Sequence, residues 1–314
     1  EWASLFWREI PWWFVPKQNA LDGYFKGDSS FYTSLHLGGW LIPILVWTGF
    51  VAMLWFVLIC LSTIIRAQWT EREKLAYPIV QLPLQMAQGE NRFYQSQIMW
   101  IGFGVAGFFE ILAGLNHLFP QIPAVRLNYY SISHWFHEKP WNAVGWISLS
   151  AYPFIIGLTF FVPLDISMSA WFFYIFGKAE RIIRTGMMGQ GELFMAERAG
   201  GAWLAVGILG LWGTRRHLGN VGKKFLNPKV PIDDSNEPMG YRTAVTGLTL
   251  GLIGLTLFSL QAGMTWRGIC GFAVIFLLMA IGVTRIRAES GPPSHEILAL
   301  DPARLMTVVF GSRL

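Results

Sequence analysis

Long apolar stretches, each carrying at most one charged residue, recur along the chain. A helix needs about 20 such residues to cross the roughly 30 Å of hydrocarbon in a bilayer. Four stretches approach or exceed that length, and a fifth, shorter one is followed by the basic sequence TRRH. The predicted spans are 39–65, 98–118, 243–263 and 268–284, with the shorter one at 199–213.

One further apolar region is too long for a single crossing, and Pro-Leu-Asp at 163–165 interrupts it. Proline removes a backbone donor and clashes with the preceding turn, so a helix breaks or kinks there. We interpret the region as two membrane segments, 146–162 and 166–183, joined by a very short turn. One long kinked helix that ends near Lys178 is the alternative. The pattern predicts an all-α fold, a polytopic transmembrane helix bundle of about seven segments, with a broken helix or helical hairpin around 160–169.

Basic residues lie mainly at the ends of the predicted segments, and they bear on orientation. Lys and Arg concentrate in short loops on the cytoplasmic side. With seven segments and an outside amino end, the inside gathers the basic stretches at 66–74, 215–224 and 285–289. If the segments 146–162 and 166–183 formed one helix, the stretches 215–224 and 285–289 would lie outside. The seven-segment arrangement has a weakness of its own, since it leaves the basic stretch 178–184 outside.

Composition agrees with a membrane protein. The chain is 53% hydrophobic and 14% charged, with a mean hydropathy of +0.41, which excludes an ordinary soluble domain of 314 residues. The net charge of +5 comes from residues that flank apolar segments, so we expect the lipid bilayer as partner and no nucleic acid. Cys60 and Cys270 lie in predicted spans, which indicates neither a disulfide framework nor a thiolate metal site. No cofactor is predicted.

The chain is expected to form one membrane domain over residues 1–314. Because no signal peptide pattern precedes Glu1 and the chain stops directly after an amphipathic piece, we expect it to be part of a longer protein. Its parts are an interfacial aromatic segment, two spans, the broken pair, three further spans and a tail, at 1–38, 39–118, 145–184, 198–287 and 288–314.

Glu110 lies near the middle of the predicted span 98–118, out of reach of either interface. An ionisable residue at that depth is costly to insert and is a functional candidate by default. Gly114 and His117 follow at spacings of four and three, so all three share one helical face. A protonatable carboxylate near a histidine resembles a proton relay. The alternative is a protonated Glu110 that hydrogen-bonds to a neighbouring helix for packing alone.

Asp165 lies in the interrupted apolar region, and Ser167 and Ser169 follow closely. Two interpretations stay open. Asp165 caps the next helix at the membrane surface, as aspartate commonly does. Alternatively, a broken helix exposes its end at membrane depth, where these three side chains bind a cation or a polar substrate group.

Two other sequence features concern metal binding and helix packing. His134, His137 and Glu138 are weak metal candidates, since one helical turn could gather them but no further ligand can be placed. No hydrolase, metalloprotease or nucleotide-binding fingerprint is present, so no catalytic residues are predicted. Glycines permit neighbouring helices to approach closely, at 102, 104 and 107 and at 247, 251 and 254.

Five motifs carry a resemblance that spans most of the chain: WREIPWWFVPKQ, RAQWTEREKLAYPIVQLPLQM, FFVPLDISMSAWFFYIFGK, GAWLAVGILGLWGTRRHL and TRIRAESGPPSHE. With these motifs the chain resembles a family of large bacterial multi-pass membrane proteins of unknown function. Some members of that family are loosely described as similar to oligopeptide transporters. The resemblance implies a multi-pass protein of the bacterial inner membrane and implies no catalytic residues.

The residues favour a secondary transporter that moves a small polar or peptide-like solute. Glu110 and His117 would carry a coupled proton, and Asp165, Ser167 and Ser169 would line the solute or ion site. A structural or assembly subunit of a membrane complex is the main alternative, and a membrane-embedded enzyme is a weaker one. A homo-oligomer is compatible with the sequence.

Overall fold

The computed structural model describes residues 9–27, 29–87, 92–124, 130–189, 195–291 and 301–311. Helices dominate this part of the chain, and two short strands, β1 (Tyr130–Ser131) and β2 (Ser148–Leu149), pair antiparallel. In chain order the α-helices are α1 (Asp22–Lys26), α2 (Ser34–Ala67), α3 (Pro78–Ala87), α4 (Arg92–Gln95), α5 (Gln97–Leu118), α6 (Pro153–Thr159), α7 (Leu164–Met188), α8 (Met195–Leu226), α9 (Tyr241–Gln261), α10 (Trp266–Ser290) and α11 (Pro302–Phe310).

Four of these helices are long and apolar enough to cross a membrane. They are α5, α9, α10 and α2 together with its π-helical extension, which runs to Arg72. The helices coincide with the predicted spans at 98–118, 243–263, 268–284 and 39–65. They confirm the all-α fold class and indicate a membrane protein.

The structure does not confirm the other three predicted segments as spans. Residues 146–162 contain β2 and the seven-residue α6, which is only about 10 Å long and too short to cross. The segments 166–183 and 199–213 lie within α7 and α8, whose charged residues reduce their apolar character. The chain does break between α6 and α7, at residues 160–163. A total of seven segments stays a prediction.

Several helix ends follow from local side-chain and backbone chemistry. Thr33 caps α2 by accepting a hydrogen bond from the His36 N–H (3.3 Å), and Ser96 caps α5 by accepting one from the Met99 N–H (3.4 Å). Gly189 ends α7 with a φ of 68°, a left-handed conformation that glycine adopts without strain.

Contacts between Cα atoms divide the chain into two compact units. The first comprises Glu1–Lys74, Leu211–Leu277 and Met306–Leu314, and the second comprises Leu75–Gly210 and Leu278–Leu305. The single-domain expectation for residues 1–314 stays a prediction.

The core of the first unit is an antiparallel pair formed by α2 and α9. Glycines at positions 247, 251 and 254 of α9 face the side chains of Cys60, Val57 and Met53, in descending order along α2. A β-carbon at residue 247 would come within 2.9 Å of the Cys60 Sγ. Val57 and Cys60 are fully buried here. The predicted glycine packing is therefore found in α9, where the absence of side chains lets the two helices approach closely.

The amino-terminal segment of the first unit packs on one end of this helix pair through aromatic rings. The Phe14 ring lies 5.1 Å from Trp47 of α2 and 5.9 Å from Phe258 of α9, measured between centroids. The Trp47 indole donates a hydrogen bond to the Phe14 carbonyl (3.0 Å). The tryptophan-rich segment is thus anchored on the helices over its described part.

The second unit contains another close antiparallel approach, between the parts of α8 and α10 that belong to it. A β-carbon on Gly207 would overlap the Leu278 carbonyl, and one on Gly282 would lie 2.6 Å from the Trp203 carbonyl oxygen. Elsewhere in this unit, the Tyr77 N–H donates to the Ala288 carbonyl (2.7 Å) and joins the start of α3 to α10. Close backbone approach thus joins α8 to α10, and a backbone hydrogen bond joins α10 to the start of α3.

Candidate functional site

Glu110 lies on α5 about 4 Å from the midpoint of the helix, at a rise of 1.5 Å per residue. Its side chain is exposed, and it makes no hydrogen bond or ion pair with any residue that the structure describes. A β-carbon on Gly114, one turn away, would have nothing within 4 Å. The face predicted to carry a proton is therefore open in this chain.

His117 is exposed in the last turn of α5, seven residues and so about 10 Å along the axis from Glu110. That separation excludes a direct hydrogen bond between the two side chains. A histidine at this end of a helix interacts favourably with the helix dipole when protonated. Whether the two residues act together in a proton path stays a prediction.

Asp165 lies in the first turn of α7 and is exposed. Pro163 occupies the N-cap position, and no side chain caps this helix end, so Asp165 does not make the capping hydrogen bond. Its charge still interacts favourably with the amino-terminal end of the helix. The Ser169 hydroxyl donates to the Asp165 backbone carbonyl (2.7 Å), while Ser167 is exposed. No described hydrogen bond or ion pair joins Asp165 to Glu110.

The weak metal candidates lie in the loop between α5 and α6. The His134 ring packs edge-on against Tyr130, with 5.9 Å between centroids. His137 and Glu138 line an open pocket instead. Among the described residues no three His, Cys, Asp or Glu side chains are grouped so that they could hold a metal ion.

A polar network in the first unit surrounds the end of α2, and the sequence analysis did not identify it. The Arg66 guanidinium donates to the Glu237 carboxylate at 2.7 Å (Nε to Oε2) and to the Asn236 carbonyl at 3.0 Å. The Tyr241 hydroxyl donates to the other carboxylate oxygen of Glu237 (3.2 Å). The Glu237 side chain is only 3% exposed, so these donors replace the hydrogen bonds to water that its carboxylate loses on burial.

His217 of α8 completes this network on its buried side. Its Nε2 lies 2.9 Å from the Ile64 carbonyl, and the ring is edge-on to Tyr241, 5.7 Å between centroids. Because a carbonyl oxygen can only accept, Nε2 must carry the hydrogen. The histidine thus joins α8 to the last turns of α2, close to where α9 begins.

Asp234 holds the start of α9 from the loop that precedes it. One carboxylate oxygen contacts the Lys224 ammonium at 2.5 Å, and the other accepts the Tyr241 N–H at 2.9 Å. The second bond satisfies one of the backbone donors that a helix start leaves without a partner. The Lys224 ammonium first, and then the Tyr241 N–H, hold the pKa of the Asp234 carboxyl below its ordinary value.

Comparison with protein families gives one match, which extends over residues 1–314. The chain belongs to the family of unknown function DUF6785. No curated protein and no solved structure matches the chain. The family assignment agrees with the resemblance to an uncharacterised family and adds no activity to it.

In this DUF6785 chain the polar network holds the end of α2 against α8 and the start of α9. The Glu237 carboxylate and the His217 Nε2 both have hydrogen-bond partners within it. Satisfied buried networks of this kind fix geometry. Glu110 differs, since a carboxylate without a described partner lies in the middle of an apolar helix. It is therefore the stronger functional candidate in this member of DUF6785.

Proposed function

We propose that the protein is a proton-coupled secondary transporter of the bacterial inner membrane that moves a small polar or peptide-like solute. The observation that supports this proposal most is the position of Glu110. It lies near the midpoint of α5, and no described residue offers it a hydrogen bond or an opposite charge.

The energetic argument concerns the depth of this carboxylate. The 22 residues of α5 span about 33 Å, close to the thickness of the hydrocarbon. A charged side chain at the centre costs at least about 2.5 kcal/mol to insert. Glu110 must therefore carry a proton or face water or a polar partner. A carboxylate that alternates between these conditions is what proton coupling requires.

The other proposed parts are His117, Asp165, Ser167 and Ser169. His117 would pass the proton between Glu110 and the end of α5, across a gap that needs intervening water. The three residues at the start of α7 follow a break in the chain, and helix ends at such breaks bind ions and polar groups in secondary transporters. The Ser169 hydroxyl would have to leave the Asp165 carbonyl in order to bind solute.

Orientation is proposed from the basic residues of the first unit. The stretches 66–74 and 215–224 meet around Tyr241, at one end of the α2–α9 pair. Because Lys and Arg favour the cytoplasmic side of short loops, this end is proposed to face the cytoplasm.

Two measurements on the full-length protein test the proposal. The first is reaction of Glu110 with a hydrophobic carbodiimide, which modifies the protonated carboxyl, followed by peptide mass spectrometry over a pH series. A protonatable, accessible Glu110 gives labelling that falls as pH rises. Labelling that is absent or independent of pH argues against a role in proton transfer.

The second measurement is proton influx into proteoliposomes that contain a pH-sensitive dye, with the dipeptide alanylalanine as probe. We expect influx with the unchanged protein and with Glu9→Gln, an exposed carboxylate outside the spans. Glu110→Gln should fold normally and abolish influx. Equal influx in the Glu110→Gln protein removes this residue from the mechanism.

A structural or assembly subunit is the second candidate, and one observation favours it. The most apolar window of α5 has none of its residues buried within the chain. In that case Glu110 hydrogen-bonds to a helix of another chain. Glu110→Gln would then reduce the size of the purified complex on gel filtration and leave proton flux unaffected.

A further inference from the structure

An open pocket of about 530 Å³ lies in the loop between α5 and α6. The described residues that line it are three aromatic residues, Trp135, Phe136 and Trp141, together with His137 and Glu138. This volume is in the range of small-molecule sites, about 300–1,000 Å³. The described residues that line the pocket belong to the second unit and lie between positions 135 and 141.

The pocket is built on a well-anchored segment. The Asn142 N–H donates to the Glu138 carbonyl (2.9 Å), which closes the turn that carries the pocket. Shortly after the pocket in the sequence, the Lys178 ammonium of α7 donates to the Val144 and Trp146 carbonyls at 2.9 and 2.7 Å. These bonds hold the backbone that carries the pocket, and a preformed backbone reduces the entropy lost on binding.

The two indole rings are not explained by packing. Trp135 is 65% exposed and Trp141 is 56% exposed, although both lie in this anchored loop. Exposed tryptophans are common in membrane proteins, so the feature that distinguishes these two is the pocket that they line. Glu138 lines the same pocket, and its carboxylate gives the pocket a specific electrostatic character.

That character favours an organic cation. Aromatic faces carry partial negative charge and attract ammonium groups, most strongly for tryptophan. Glu138 adds a full negative charge, and neither lysine nor arginine is among the described residues that line the pocket. A metal ion is disfavoured because the described residues offer no group of three ligands.

We propose that this pocket binds an organic ammonium group through the faces of Trp135, Phe136 and Trp141 and the carboxylate of Glu138. The group can belong to a free solute or to the headgroup of a lipid. The proposal does not depend on transport, since it concerns binding alone.

The test is calorimetric titration of the full-length protein in a maltoside detergent, whose headgroup has no ammonium. Choline is the cationic probe, and 3,3-dimethyl-1-butanol is its neutral isostere. We expect choline to bind and the isostere to bind much more weakly. Comparable binding of the two probes would overturn the proposal, because shape and apolarity would then suffice.

Variants locate the binding. Trp135→Leu and Trp141→Leu should each weaken choline binding about 3- to 30-fold, the range for loss of one cation–π contact. Trp135→Phe keeps an aromatic face and should weaken it less. Glu138→Gln should weaken it about two- to fivefold, because the carboxylate is exposed to solvent.

Matched controls separate the site from general effects. Trp171→Leu removes a similarly exposed indole of α7, and Glu9→Gln removes an exposed carboxylate that is not among the residues lining the pocket. Both should bind choline as the unchanged protein does. Circular dichroism and gel filtration identify any variant that fails to fold. If the controls lose affinity as strongly as the pocket variants, the proposal is wrong.

A further experiment with lipids distinguishes a free solute from a lipid headgroup as the source of the ammonium group. Native mass spectrometry compares retention of phosphatidylcholine with retention of phosphatidylglycerol after release from nanodiscs. Preferential retention of phosphatidylcholine that Trp135→Leu and Trp141→Leu abolish, without binding of free choline, identifies a lipid headgroup as ligand. Binding of neither free choline nor phosphatidylcholine overturns the proposal.

Discussion

Replacing Gly251 of α9 by alanine puts a methyl group where the Val57 side chain of α2 already lies. The added β-carbon would overlap the Val57 Cγ2, and this valine is fully buried and cannot move aside easily. At Gly254 the nearest atom would be the Met53 Sδ, 2.5 Å away, on a flexible side chain. At Gly102 of α5 nothing lies within 4 Å. The three positions form a graded series.

The magnitude follows from two opposing effects. Alanine in place of glycine within a helix stabilises the fold by roughly 0.5–1 kcal/mol. Overpacking in a close-packed site costs about 1–3 kcal/mol. Gly102→Ala should therefore raise the free energy of unfolding by roughly 0.5–1 kcal/mol. The free energy of unfolding of Gly251→Ala should be about 1–3 kcal/mol lower than that of Gly102→Ala. Gly254→Ala should lie between them, because a methionine side chain adapts to irregular space.

The assay is unfolding of the purified protein by increasing mole fractions of dodecyl sulfate, followed by circular dichroism. Val57→Ala added to Gly251→Ala removes the overlapping methyl group, so the two changes should show a favourable coupling energy in a double-mutant cycle. Equal free energies of unfolding for Gly251→Ala and Gly102→Ala would refute the close α2–α9 packing from which the prediction is drawn.

Three further predictions concern polar contacts. Arg66→Met leaves the buried Glu237 carboxylate without its main donor and should destabilise the fold by about 1–3 kcal/mol in the same assay, because the Arg66 side chain is itself 35% exposed; adding Glu237→Gln should recover part of the loss, and no recovery would contradict a direct interaction. The pKa of Asp234 is depressed in the folded state, so its stabilising effect is complete above about pH 4 and is lost as pH falls through the folded-state value. Asp234→Asn should therefore reduce the acid sensitivity of the unfolding free energy, and an unchanged pH profile would count against the Lys224 and Tyr241 contacts. Lys178→Met removes the donors to the Val144 and Trp146 carbonyls, so amide exchange should accelerate at 141–147 and stay the same in α9; equal rates would show that the loop does not need this lysine.

The features that depend on local sequence could be predicted. A run of about 20 apolar residues is sufficient to specify a helix of spanning length, and the helices α2, α5, α9 and α10 lie where such runs occur. The glycine spacing in α9 likewise predicted a close helix contact. Such a contact requires residues without side chains, and the sequence identifies those residues directly.

The features that depend on tertiary pairing could not be predicted. Arg66 and Glu237 are 171 positions apart, and neither lies in a local pattern that indicates its partner. Residues 146–162 are apolar enough to suggest a span. In the structure, however, the first part of this stretch is non-helical and includes β2, and only seven residues form α6. Asp165 follows a proline at a helix start, yet the capping bond that this position suggests is absent. For Glu110 the sequence predicted a place near the middle of α5, where the structure has it, and the role in proton coupling stays a prediction.

The separation of Arg66 from Glu237 has a consequence for biosynthesis. A ribosome that adds about 5–20 residues per second needs roughly 10–30 s to extend the chain by the 171 positions that separate them. During that interval α2 has neither the carboxylate that binds its arginine nor the glycine face of α9 that covers Val57. The α2 helix therefore stays without these partners until α9 has been made, and the core of the first unit can form only after that point in synthesis.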